Sequence, residues 1–166
     1  TASRASKYYR CPIVQYINDD KSDGVIGELV VIEHDRLGAK MDRRTVSMAF
    51  MEQCQLVLKR LEDISDEDAS FIYETISGNY HDKKCITRTN TETTVETVEN
   101  VDLNPEDRLY VHIPHSLEIY QNDGGKIKEV DGERMKDIID KLRELGYDVD
   151  NAIEEGWGID IKTVKQ

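Results

Sequence analysis

The sequence predicts an α+β fold, a mainly antiparallel sheet with about three helices packed against it. Three observations point there. Runs of β-branched residues alternate with polar ones along much of the chain. Other segments instead carry apolar residues at three- and four-residue spacing. The order reads strand–strand–helix–helix–strands–helix–strand, so like elements come in runs, as α+β folds have them. The 166 residues suit a single domain, 1–166, with 1–7 as a short flexible arm.

Tyr8 to Asn18 reads as the first strand, with Tyr9, Cys11, Ile13, Gln15 and Ile17 on one parity. Pro12 lacks an amide hydrogen, which predicts an edge strand or a bulge. Val25 to Glu33 is a second strand rich in β-branched residues, and the polar turn at 18–24 makes the two an antiparallel hairpin. Gly27 marks a bulge within it. Arg44 to Leu61 gives the clearest helix, because Val46, Ala49, Phe50, Cys54, Val57, Leu58 and Leu61 form one stripe. A second helix runs from Asp66 to Ser77. Ser65 caps it, three acids fill its first turn, Gly78 stops it, and Phe71, Ile72 and Ile76 are its buried face.

From Lys83 to Asn100, Thr87, Thr89, Thr91, Thr93, Val95 and Thr97 share one parity, predicting a solvent-exposed strand or hairpin arm. Leu109-Val111-Ile113 and Leu117-Ile119 are two short alternating runs around Pro114. The turn Asn122-Asp123-Gly124-Gly125 leads to a hairpin return at Ile127 and Val130. Asp131 caps a helix over 132–145 whose inner face is Met135, Ile138, Ile139, Leu142 and Leu145. A helical turn at 150–155 and a closing strand through Ile159, Ile161 and Val164 complete the chain.

The formal net charge is −12, and it is unevenly placed. Residues 1–50 hold eight Lys/Arg and seven Asp/Glu, whereas 51–166 hold fourteen against twenty-seven. Phosphate neutralisation supplies most nucleic-acid affinity, so an acidic surface argues against direct nucleic-acid binding. The basic residues Arg4, Lys7, Arg10, Lys40, Arg43 and Arg44 are a local exception, suited to an acidic partner or a second copy. No stretch approaches the roughly 18 apolar residues of a membrane span, and none resembles a signal-peptide core. Three cysteines, Cys11, Cys54 and Cys85, are odd in number and widely spaced, which predicts free thiols in a reducing, cytoplasmic compartment. Cys54 is assigned to core packing.

Motifs with chemistry are sparse. His81, Cys85, His112 and His115 have donor atoms for zinc, but an extended His-x-x-His points its rings apart and Lys83 and Lys84 oppose a cation, so surface histidines are preferred. The loop from Asp19 fails as a calcium loop, since Lys21 and Val30 stand at its third and twelfth positions. Glu33-His34-Asp35 sets an imidazole beside carboxylates, the minimum for acid–base work, yet no nucleophile signature accompanies it. Gly124-Gly125-Lys126 lacks the phosphate-loop spacing. No catalytic residue, cofactor or metal is assigned.

The acids cluster at Asp63, Asp66, Glu67 and Asp68, at Glu92, Glu96 and Glu99, and near the C-terminus. These seven are the candidate partner-binding residues, an acidic surface meeting a basic protein in a salt-sensitive way. The reading is a non-enzymatic acidic interaction protein docking on a macromolecular partner; accessory or inhibitor proteins, including those made by viruses of microbes, fit that description. The alternatives are a structural subunit of a homo- or hetero-oligomer whose edge strands pair across copies, and a small enzyme using a His/carboxylate site.

Overall fold

The computed structural model describes residues 5–17, 21, 23–33, 35–42 and 45–164. They form the α+β fold the sequence predicts, in two compact units: residues up to Lys59 together with those from Leu142, and Arg60–Lys141.

The first unit contains β1 (Pro12–Tyr16), β2 (Gly24–Ile32), β3 (Arg36–Lys40), β4 (Val46–Phe50), β5 (Cys54–Leu58) and β11 (Gly158–Asp160). They form one sheet in the order β11-β5-β1-β2-β3-β4. Every neighbouring pair is antiparallel except β5 and β11. Alternation sends Ile13, Leu29, Leu37, Ala39, Cys54, Leu56 and Leu58 into a core shared with Ala5, Tyr8, Cys11 and Ala152. Each large apolar side chain so buried contributes about 1.5–3 kcal/mol. Residues 1–4 of the expected arm lie outside the described residues; Ala5 precedes a 3-10 turn (Ser6–Tyr8), and both Ala5 and Tyr8 are core residues.

Three local expectations change here. The helix expected over 44–61 is instead β4, a 3-10 turn (Met51–Gln53) and β5. The stripe that fitted a helix placed Val57 beside Leu58, and a central strand buried on both faces accepts such neighbours equally well. Leu56, Val57 and Leu58 are all buried, and β5 is paired on both sides, by β1 and β11. Cys54 nevertheless packs in the core. Pro12 does not mark an edge: β1 is an interior strand, and Pro12 is tolerated as its first residue because the β5 ladder begins only at Ile13. The register shift in β2 falls between Leu29 and Val31, not at Gly27. Gly27 serves close approach, since a Cβ there would lie 2.8 Å from Met41 Sδ.

The second unit pairs α1 (Asp66–Ser77) with β6 (Lys84–Arg88), β7 (Glu92–Thr97), β8 (Leu109–Pro114), β9 (Tyr120–Asp123) and β10 (Lys126–Glu129). The strands form an antiparallel sheet in the order β10-β9-β8-β7-β6. Ser65 Oγ accepts the Asp68 amide at 3.1 Å, and Gly78 ends the helix at φ 72°. Helix α1 lies against β6, β7 and β8, and Ala69, Ile72, Tyr73 and Ile76 are buried, as are Val95, Val111 and Ile113. The Thr-rich segment is the expected hairpin, but β7 is not solvent-exposed. It is an interior strand with Thr93, Val95, Glu96 and Thr97 buried, because its threonine parity is the face directed at the core. Gly124 and Gly125 turn β9 into β10 at φ 61° and 83°.

Asp131 Oδ1 accepts the Arg134 amide at 2.9 Å and starts α2 (Gly132–Glu144), along which the chain returns to the first unit. Asp148 then caps α3 (Ala152–Glu155), accepting the amides of Ala152 and Ile153 at 2.8 and 3.0 Å. No helix of the described residues is long and apolar enough to cross a membrane.

Candidate functional site

Four strands end the two sheets, and three of them carry the usual defences of an edge. β11 is three residues long and ends on Asp160; β6 begins and ends on cations, Lys84 and Arg88; β10 carries Lys126, Lys128 and Glu129. Short length and charge are how edge strands avoid pairing with other chains. β4 has neither defence. From Thr45 to Met51 there is no charged residue and no proline.

The ladder of β4 on β3 fixes which of its backbone groups point outward. The Met41 amide donates to Thr45 O at 3.1 Å, and the Met51 amide donates to Asp35 O at 2.9 Å. Hydrogen-bonded pairs alternate in an antiparallel ladder, so Ser47 and Ala49 turn their N–H and C=O groups toward β3. Val46, Met48 and Phe50 turn theirs away from β3, and the Phe50 carbonyl already accepts the Cys54 thiol at 3.4 Å. The same residues expose apolar side chains, at 47%, 38% and 53% of their accessible surface. On the opposite face the buried Gln15 amide donates to Ser47 O at 2.8 Å and Leu37 O at 3.2 Å, tying β4 to the interior. Gly38, opposite Met48, leaves a notch: a Cβ there would stand 2.6 Å from Met48 Sδ and 2.7 Å from Val31 Cβ. Among the described residues β4 is thus an edge that sets the outward ladder groups of Val46 and Met48, and the Phe50 amide, beside an apolar strip. Sequence reading missed it because the helical stripe concealed the alternation of Val46, Met48 and Phe50.

The acidic residues singled out from sequence lie in varied settings within the second unit. Asp66 and Glu67 are exposed on the first turn of α1, with Asp63 and Asp68 partly exposed, and Asp66 pairs with Arg88. Glu99 is exposed in a 3-10 turn after β7. Glu96 is 8% exposed and is held by the Arg108 guanidinium, whose Nη2 lies 2.9 Å from both carboxylate oxygens. Arg108 also stands 4.6 Å from the Tyr110 ring centroid.

Glu92 binds two neighbours. His112 Nδ1 lies 3.2 Å from Oε1, and the Tyr120 hydroxyl donates to Oε2 at 3.2 Å. The His112 and Tyr120 rings stack at 4.5 Å with 10° between planes. Burial, then the Glu92 charge, pushes the Tyr120 phenol up. Glu92 Oε1 faces His112 and Oε2 faces Tyr120, and His112 Nε2 is buried with no hydrogen-bond partner among the described residues. The nearby concavity of about 530 Å³, lined by Glu118, Ile119, Tyr120, Ile127, Glu129, Val130 and Met135, holds no histidine. This imidazole–carboxylate pair links β7, β8 and β9.

His81, Cys85 and His115 do not join His112: among the described residues no three His, Cys, Asp or Glu side chains gather as metal ligands. His34 of the expected Glu33-His34-Asp35 group, Asp19 of the calcium-like loop, and Arg4, Arg43 and Arg44 lie outside the described residues. Cys11 and Cys54 are buried and free; burial pushes the Cys11 thiol up and the Cys54 thiol up to about 11, far from a reactive thiolate. No family model, no curated protein and no solved structure matches this chain.

Proposed function

We propose that this chain is an interaction protein that joins other polypeptides by strand addition at β4. The observation that supports this reading is the coincidence, on one undefended edge, of outward ladder groups and exposed Val46, Met48 and Phe50. In strand addition main-chain hydrogen bonds supply affinity, and alternate side chains supply selectivity. The outward amides and the outward side chains belong here to the same three residues.

A capped peptide of alternating threonine and valine, seven residues long, tests the reading. It should slow amide hydrogen exchange at Val46, Met48 and Phe50 and leave exchange at β6 and β10 unchanged. Unchanged exchange at β4 under saturating peptide counts against the proposal.

A second reading keeps the acidic surface as the docking element for a basic protein. It is favoured by the exposure of Asp66 and Glu67 at the start of α1 and of Glu62 in the 3-10 turn before it. Glu96 and Glu92 would then act from within the sheet, through Arg108, His112 and Tyr120, rather than by direct contact. Its signature is affinity for a polylysine probe that falls steeply with salt.

A further inference from the structure

We infer that the occupant of the β4 edge is a second copy of this chain, added antiparallel about a two-fold axis at Met48. The inference rests on the strand-addition reading and names its partner. Only even-numbered residues of β4 direct ladder groups outward. A two-fold register therefore sets Val46 against Phe50 of the second copy and Met48 against Met48. That register overlaps the whole strand and makes about four main-chain hydrogen bonds, the Phe50 carbonyls being held by the Cys54 thiols.

The side chains agree with this geometry. β4 runs large–small–large–small–large, Val46-Ser47-Met48-Ala49-Phe50. Reversal about Met48 puts large on large along the exposed face and small on small along the face directed at the core. Aromatic against β-branched is among the favourable cross-strand pairs. The notch over Gly38 seats Met48 against Val31, so the central side chain is positioned before the second copy arrives.

Electrostatics favour this edge for self-contact. Two copies of charge −12 repel, and the repulsion is least where acid and base balance. Residues 1–50, which include β4, carry eight Lys/Arg and seven Asp/Glu. Among the described residues, the cations Arg36 and Lys40 sit one strand in, beside Phe50 and Val46. Across the pair, Lys40 would be three strand spacings from Arg36 of the second copy, about 14 Å. That exceeds the screening length of about 8 Å at physiological salt. One five-residue edge buries less than the roughly 800 Å² per partner of a standard interface, so the dimer is weak and forms in the micromolar range.

The test is sedimentation velocity on the full chain from about 1 to 300 μM, for wild type and Met48→Lys, with circular dichroism checking that both are folded. Met48 is exposed, so lysine fits the monomer, yet it sets like charges opposite each other in the dimer. Wild type should dimerise, and Met48→Lys should weaken association about tenfold or more. In a Cys85→Ser background, Met48→Cys should cross-link with a short bis-maleimide, while Ile161→Cys, exposed beyond β11 at the other end of the sheet, should not. A wild-type monomer that still binds the threonine–valine peptide overturns self-pairing and leaves strand addition standing. A monomer that also ignores the peptide removes both. A dimer that survives Met48→Lys and cross-links equally well in the Ile161→Cys variant overturns the inference as well.

Discussion

Tyr8→Phe isolates one hydrogen bond in the first unit. Tyr8 is fully buried, its hydroxyl donates to Asp150 Oδ2 at 2.7 Å, and its ring stands edge-on to Trp157 at 6.0 Å. Phenylalanine keeps the ring contacts and deletes only the O–H. A hydrogen bond to a charged acceptor contributes about 1.5–3 kcal/mol. Asp150 keeps Arg143, with Nε and Nη2 at 2.9 and 2.8 Å, so its carboxylate is not stranded and the lower part of that range applies. We expect a loss of about 2 kcal/mol, or about 4–8 °C in Tm for a chain of this length. Trp157 is the sole tryptophan, so urea unfolding followed by its fluorescence reads this unit directly. Burial raises the Asp150 carboxyl, but hydrogen bonds from Arg143 and Tyr8 and the charges of Arg143 and Lys7 outweigh it and hold the carboxyl below its usual range. Its contribution is therefore present above the unfolded value of about 3.9 and lost as pH falls through the lower folded value. The gap between wild type and Tyr8→Phe should narrow over that acid interval. A loss below about 0.5 kcal/mol at pH 7 would refute the assignment.

Two further substitutions probe one unit each. Gly38→Ala places a Cβ 2.6 Å from Met48 Sδ and 2.7 Å from Val31 Cβ; overpacking there should cost about 1–3 kcal/mol in chemical denaturation. Arg108→Ala leaves Glu96 buried without its guanidinium, and breaking such a pair costs about 3 kcal/mol or somewhat more. Thermal melts by circular dichroism should show that drop, and Glu96→Gln together with Arg108→Ala should recover part of it.

Legibility in the sequence followed local chemistry. Helix α1 was readable to the residue because Ser65 and Gly78 act within one turn of it. The Gly124-Gly125 hairpin was readable for the same reason, since positive φ selects glycine. What failed depended on partners far along the chain. Whether 46–58 is helix or sheet is settled by β3 and by β1 and β11, and β11 lies about a hundred residues downstream. The exposure of β4 could not be read at all, because an edge is a property of sheet order. Similarly, Glu92 and Glu96 looked like surface acids until β8 and β9 brought His112, Tyr120 and Arg108 beside them.

The late arrival of β11 has a consequence for synthesis. Lys59 is clasped by residues that the ribosome adds much later: its amide donates to Gly146 O at 2.9 Å, its carbonyl accepts the Asp148 amide at 2.8 Å, and its ammonium stands 4.3 Å from the Tyr147 ring centroid. At about 5–20 residues per second, Gly158 follows Leu58 by about 5–20 s. Throughout that interval β5 is itself a bare edge, bearing Leu56, Val57 and Leu58. The nascent chain is then most exposed to mispairing at a strand that the finished sheet encloses, and whatever shields β5 during translation governs how much of the protein reaches the folded state.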